Sequence, residues 1–67
     1  MSKVIGKIIE YNGVNGVVID KENTKYIFTS KDLVSKDIKV SDIVFFEKEL
    51  FKTVEVEINL ARFIEKQ

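Results

Sequence analysis

Carboxylates, lysines, side-chain amides and two tyrosines are the residue types of this chain that could do chemistry; histidine and cysteine are absent. Their absence removes the usual general base, the thiolate nucleophile and the common transition-metal ligands. Among the acids, Glu55 and Glu57 stand two apart and would share one face of a strand. Such a pair performs acid–base work only where burial or proximity splits the two pKa values, and on an open strand face it is solvated charge. Gly6, Gly13 and Gly16 are spaced for a strand start and a tight turn, not for a loop that cradles phosphate at a helix N-terminus. A non-enzymatic chain is expected, with no cofactor and no metal.

What remains is binding chemistry. Lys7, Lys25 and Lys31 could frame one face around Tyr11, whose ring could stack on a nucleic-acid base. Asn12 and Asn15 add amides that donate and accept hydrogen bonds. Against this stands the overall charge: eleven basic and eleven acidic residues cancel. A binder driven by phosphate neutralisation usually carries a basic excess, and Glu10, Glu55 and Glu57 would repel phosphate if they shared the face. A second set, Phe45, Leu50 and Phe51, with Lys48 and Lys52 beside it, would serve either to plug one end of a fold or to contact a protein.

The elements that must position these groups read as strands. At 67 residues the chain is one domain over 1–67, and a domain of that size buries only about 60% of the surface its unfolded chain exposes. With 45% apolar residues and no disulfide or metal staple available, a closed barrel is an economical solution. Strands are predicted near residues 3–11, 16–20, 25–29, 43–48 and 53–61, all antiparallel, with a short helical turn around 30–34. Two Asn-Gly pairs within Asn12–Gly16 mark the first turn, because both residue types tolerate positive φ. Thr29 followed by Asp32 is a capping-box pattern for the helical turn. Val54, Val56, Ile58 and Leu60 alternate with polar residues, which predicts one buried and one wet face. Phe46 is expected inward by parity with Val44, leaving Phe45 outward. A Src-homology-type small barrel shares this strand count and size. No apolar run approaches the roughly 20 residues that span a bilayer. With no signal-peptide-like start and no cysteine, a cytoplasmic monomer without membrane contact is expected.

Several stretches carry a family resemblance. Gly6-Lys7-Ile8-Ile9-Glu10-Tyr11-Asn12 followed by Gly16-Val17-Val18-Ile19 resembles the opening of a cold-shock domain, G-x-V-K-W-F-N running into K-G-F-G-F-I. Residues Lys25 to Leu33 fall on the family's D-V-F-V-H-F-S-A-I, Ile38 to Phe46 on L-x-x-G-x-x-V-x-F, and Val56 to Leu60 on Q-A-A-N-V. The resemblance implies an all-β, five-stranded, antiparallel oligonucleotide-binding-type barrel with a core of Ile8, Ile19, Tyr26, Phe28, Leu33, Val44, Phe46, Ile58 and Leu60. It also implies binding of single-stranded RNA or DNA through Lys7, Tyr11, Asn12, Asn15, Lys25 and Lys31, which zero net charge and few stacking rings make weak. The binding face itself departs from the family. Glu10, Asn15, Val17, Ile27, Thr29 and Ser30 stand where it has Trp, Phe, Phe, Phe, His and Phe. Each lost base–aromatic stack is worth roughly 1–3 kcal/mol. The alternative is a protein-interaction module on a barrel that has lost its nucleic acid.

Overall fold

A computed structural model describes residues 3–67. Five strands follow one another: β1 (Val4–Tyr11), β2 (Asn15–Asp20), β3 (Lys25–Thr29), β4 (Ile43–Lys52) and β5 (Glu57–Lys66). One 3₁₀ turn, Ser30–Asp32, follows β3. The strands close into a barrel in the order β1-β2-β3-β5-β4. Four of the five seams are antiparallel, but β3 and β5 run parallel, paired at Ile27 and Leu60. The expectation of a wholly antiparallel sheet is corrected here. The chain crosses from the end of β3 to β4 through residues 33–42, and this crossover leaves the β3 edge for β5.

Local chemistry sets the turns. Asn12 Oδ1 accepts hydrogen bonds from the backbone N–H groups of Val14 (2.9 Å) and Asn15 (2.8 Å), and Gly13 takes φ +94°. Asp20 does the same for the β2–β3 turn, accepting from the N–H of Glu22 and of Thr24, each at 2.9 Å. Asp32 closes the 3₁₀ turn by accepting from the Thr29 N–H at 2.9 Å, the bond the capping pattern predicts. Leu33 then pairs with Ile64, anchoring the crossover on β5.

The core consists of Ile8, Val18, Tyr26, Phe28, Leu33, Ile38, Val44, Phe46, Ala61 and Ile64. Phe46 is buried and Phe45 half-buried on the opposite side of β4, as parity requires. Three expected core residues are not in it. Ile19, Ile58 and Leu60 are only half-buried, because their neighbours Val18 and Ala61 take the inward positions. The alternation at Val54 and Val56 also fails as a burial signal: both are exposed. They lie in the β4–β5 turn, since β4 continues to Lys52 and β5 begins at Glu57. Leu50 and Phe51 are exposed on β4 and do not plug the barrel end.

Two bulges explain the phase changes. In β1, Ile8 pairs with Val18 and Glu10 with Val17, so Ile9 is an extra residue. Between β4 and β5, Phe45 pairs with Glu65 but Glu47 with Arg62, and Phe63 within that step has φ +54°. A bulky residue in the left-handed region is uncommon, and here it accompanies the insertion of one residue into β5. Gly16 faces the core, and a Cβ there would collide with the Phe28 ring and come within 2.7 Å of the Glu10 carbonyl oxygen.

Candidate nucleic-acid interface

The outer face of the sheet is assembled row by row from the strand register, because residues paired across strands project to the same side. One row runs Ile43–Lys7–Ile19–Lys25 across β4, β1, β2 and β3. With neighbouring strands about 4.8 Å apart, Lys7 and Lys25 stand roughly 10 Å from each other across Ile19. The next outward row runs Glu10–Val17–Ile27–Leu60–Glu49. Its centre is aliphatic, with Ile27 48% exposed, and a carboxylate closes it at each end. A third row holds Asn15 and Thr29, both exposed.

Lys7, Lys25 and Asn15 of the expected set are therefore together on this face. Lys31 is exposed on the 3₁₀ turn just after β3. Tyr11 is not on the face. The bulge at Ile9 inserts one residue, so Tyr11 turns back toward the interior and is half-buried with its ring centroid 5.5 Å from that of Phe28. The Asn12 carbonyl oxygen is occupied by the turn, which leaves its amide N–H₂ as the free part.

Cations divide into two groups. Lys3, Lys52, Arg62 and Lys66 pair with acids of the chain itself: Glu65, Glu57, Asp32 with Glu49, and Asp37 with Asp42. Arg62 lies 2.7 Å from Asp32 and 3.3 Å from Glu49, tying the 3₁₀ turn to the β4–β5 hairpin. Lys7, Lys21, Lys25, Lys31, Lys36, Lys39 and Lys48 have no ion-pair partner among the described residues. Four of these, Lys7, Lys21, Lys25 and Lys31, lie on β1–β3 and the turns that flank them, while Lys36 and Lys39 lie in the crossover and Lys48 on β4.

Asp20 and Tyr26 sit at one end of this face. The N–H of Thr24 and, after it, the Tyr26 hydroxyl and the N–H of Glu22 outweigh desolvation and hold the Asp20 carboxyl below its ordinary value. Burial pushes the Tyr26 phenol up to about 12, helped by the 2.9 Å hydrogen bond it donates to Asp20. The Tyr26 ring meets Phe46 edge-on, with centroids 5.0 Å apart. This pair braces the barrel and offers no free acid or base.

Sequence reasoning did not single out the groove that adjoins the lysine row. Ile5, Gly6, Lys7, Ile19, Asp20, Lys21 and Ile43 enclose about 300 Å³ there. Its signal lay in the apolar runs Val17-Val18-Ile19 and Ile43-Val44-Phe45-Phe46, which do not alternate. A further hollow of about 340 Å³ lies between Tyr26 and the hairpin residues Lys48, Glu49, Leu50 and Asn59. Among the described residues, no three His, Cys, Asp or Glu side chains gather to hold a metal ion, and no helix is long and apolar enough to cross a membrane. No protein-family model, curated protein or solved structure matches the chain.

Proposed function

We propose that this chain is a non-enzymatic, cold-shock-like binding barrel that takes a single strand of RNA or DNA across the outer face of β1–β3, weakly, in the cytoplasm. The observation that carries this reading is the placement of Lys7 and Lys25 in one row of the outer face, without ion-pair partners among the described residues, while Lys3, Lys52, Arg62 and Lys66 pair with acids of the chain. Phosphates meet Lys7, Lys25 and Lys31. Bases lie on Val17, Ile19 and Ile27, which supply apolar contact without a π-face. Asn15 and the free N–H₂ of Asn12 supply hydrogen bonds at the turn. Tyr11 contributes through the ordering of that turn and not as an open stacking platform.

The test is a titration with labelled mixed-sequence single strands at low and moderate salt. Micromolar or weaker affinity is expected, with log affinity falling by roughly 0.7 per log salt for each neutralised phosphate, so about 2 for three lysines. Lys7→Gln and Lys25→Gln should each flatten that slope by about one such increment. Glu10→Trp with Val17→Phe should tighten binding, since it adds two stacking faces and removes a repelling carboxylate. Absence of binding at low salt, in the native chain and in that double variant alike, would reject the reading. A protein-interaction role has its own support in the exposure of Leu50, Phe51, Val54 and Val56 on the β4–β5 hairpin.

A further inference from the structure

The outer half of β4 is an open sheet edge. Its pairing with β1 ends at Val4 and Phe46, while its pairing with β5 continues from Glu47–Arg62 to Lys52–Glu57. In an antiparallel sheet, successive residues send their N–H and C=O groups to alternate sides. Thr53 N–H donates to the Val56 carbonyl at 2.7 Å, so the odd-numbered residues of β4 bond to β5. Lys48, Leu50 and Lys52 point theirs the other way, and no backbone group meets them among the described residues. Every side chain from Lys48 to Lys52 is exposed. The edge is also preformed, because Thr53 Oγ1 accepts from the N–H groups of Glu55 (3.3 Å) and Val56 (3.0 Å) and fixes the turn that ends it.

A ladder of free N–H and C=O groups is matched by an extended chain. Nucleic acid has no such ladder, and the hairpin acids Glu47, Glu49, Glu55 and Glu57 oppose its phosphates. The side chains of the edge are sorted by charge between its two sides. Glu47, Glu49 and Phe51 share one side, while Lys48, Leu50 and Lys52 share the side of the buried Val44 and Phe46. Glu47 and Lys48 have no ion-pair partner among the described residues, and the contacts of Glu49 with Arg62 and of Lys52 with Glu57 are exposed. This sorting works against a second copy of the chain. A two-fold antiparallel pair keeps each residue on its own side, so it opposes Glu to Glu and Lys to Lys. Centred on Lys48, it sets that lysine against itself and Glu47 against Glu49. Centred on Glu49, it sets that acid against itself, and centred on Leu50, it sets Lys48 against Lys52. Centred on Phe51, the paired stretch shrinks to Leu50–Lys52. Like charges directly opposite one another are destabilising.

We propose that this edge receives an extended segment of a different protein, antiparallel to β4. That segment carries basic residues opposite Glu47 and Glu49, acidic residues opposite Lys48 and Lys52, and apolar residues opposite Leu50 and Phe51. The backbone ladder supplies attachment and the alternating charges supply the register, since a slip of one residue moves every side chain to the wrong side.

The experiment titrates the full chain with two capped synthetic peptides of one composition and follows its backbone amides by NMR. The first, Glu-Ile-Val-Lys-Glu-Lys, has the complementary order, and the second, Lys-Ile-Val-Glu-Lys-Glu, has its charges exchanged. The first should give saturable shifts at the amides of Lys48, Leu50 and Lys52, and the second should bind roughly tenfold more weakly or worse. Methylating the Val nitrogen of the first peptide, which faces Leu50, should abolish binding. Methylating the nitrogen of its central Lys, which points away from the edge, should leave it. Lys48→Glu, at an exposed position, should weaken the first peptide and strengthen the second, with the thermal midpoint checking that the variant is folded. Equal binding of the two peptides overturns the proposal, as does the absence of shifts at those amides. Shifts there that grow with protein concentration alone overturn it in favour of a second copy, and shifts raised by an oligonucleotide overturn it in favour of nucleic acid. The proposed strand-binding lysines lie on β1, β3 and the turn after β3, so failure here leaves the oligonucleotide titration to stand or fall by itself.

Discussion

Asp20 and Tyr26 hold a hydrogen bond of 2.9 Å at the end of β2, and its response to pH is a consequence of the geometry. Folding keeps the Tyr26 proton bound up to about 12. Below the ordinary tyrosine value of about 10, folded and unfolded chains both hold the proton and the contribution is complete. Above it the unfolded chain releases the proton first, so stability falls as pH climbs toward 12. Denaturation midpoints should decline over that window, and Tyr26→Phe should decline less. Absorbance of phenolate should show a late step near 12 that the variant lacks. At another residue, Phe28→Ala removes a ring that is fully buried and touches Tyr11, which should cost about 3–5 kcal/mol in chemical denaturation. Val56→Asp should change the midpoint little, because Val56 is 44% exposed in the turn.

Whether an element could be read from the sequence depended on whether it kept a simple period. β2 and β3 begin and end within a residue of their predicted limits, since polar turns bracket both and Asn12 and Asp20 close those turns with their own side chains. Phe28, Tyr26, Val44 and Phe46 were legible as core because each alternates with a polar or outward neighbour. β5 was not. Its cleanest alternation, from Val54 to Leu60, lies in the turn and on the outer face, while the inward residues are Ala61 and Ile64, three apart across the step at Phe63. A bulge shifts parity without changing composition, so nothing in a period-two pattern reports it. The same device moved Tyr11. Counted from Ile8 it should face outward, but the extra residue at Ile9 returns it to the interior. The lysines at positions 7 and 25 were legible because they precede or lie outside the bulge.

The whole molecule is elongated, 36 × 24 × 20 Å, because the β4–β5 hairpin carries the sheet beyond the closed part of the barrel. The body has its strand ends pinned by its own charges, with Arg62 bridging Asp32 and Glu49. Beyond Glu49 and Leu60 the hairpin has, among the described residues, the Lys52–Glu57 contact at 3.8 Å between exposed groups, which adds little. Lys7, Lys21, Lys25 and Lys31 lie on the body, while the exposed apolar side chains of Leu50, Phe51, Val54 and Val56 lie on the arm.

The last strand in sequence lies between β3 and β4 in the barrel order. A chain synthesised from its N-terminus can therefore build the β1–β2–β3 meander early and add β4 to its β1 edge, but the β3 and β4 edges stay open until β5 appears. Barrel closure becomes a single late event, and proteases or chaperones would meet an open sheet throughout synthesis. A fragment ending at Lys52 should show no cooperative thermal transition, and adding a peptide of residues 53–67 should restore one. A fragment that melts cooperatively without the peptide would show that the meander and β4 hold together with a strand missing from the ring.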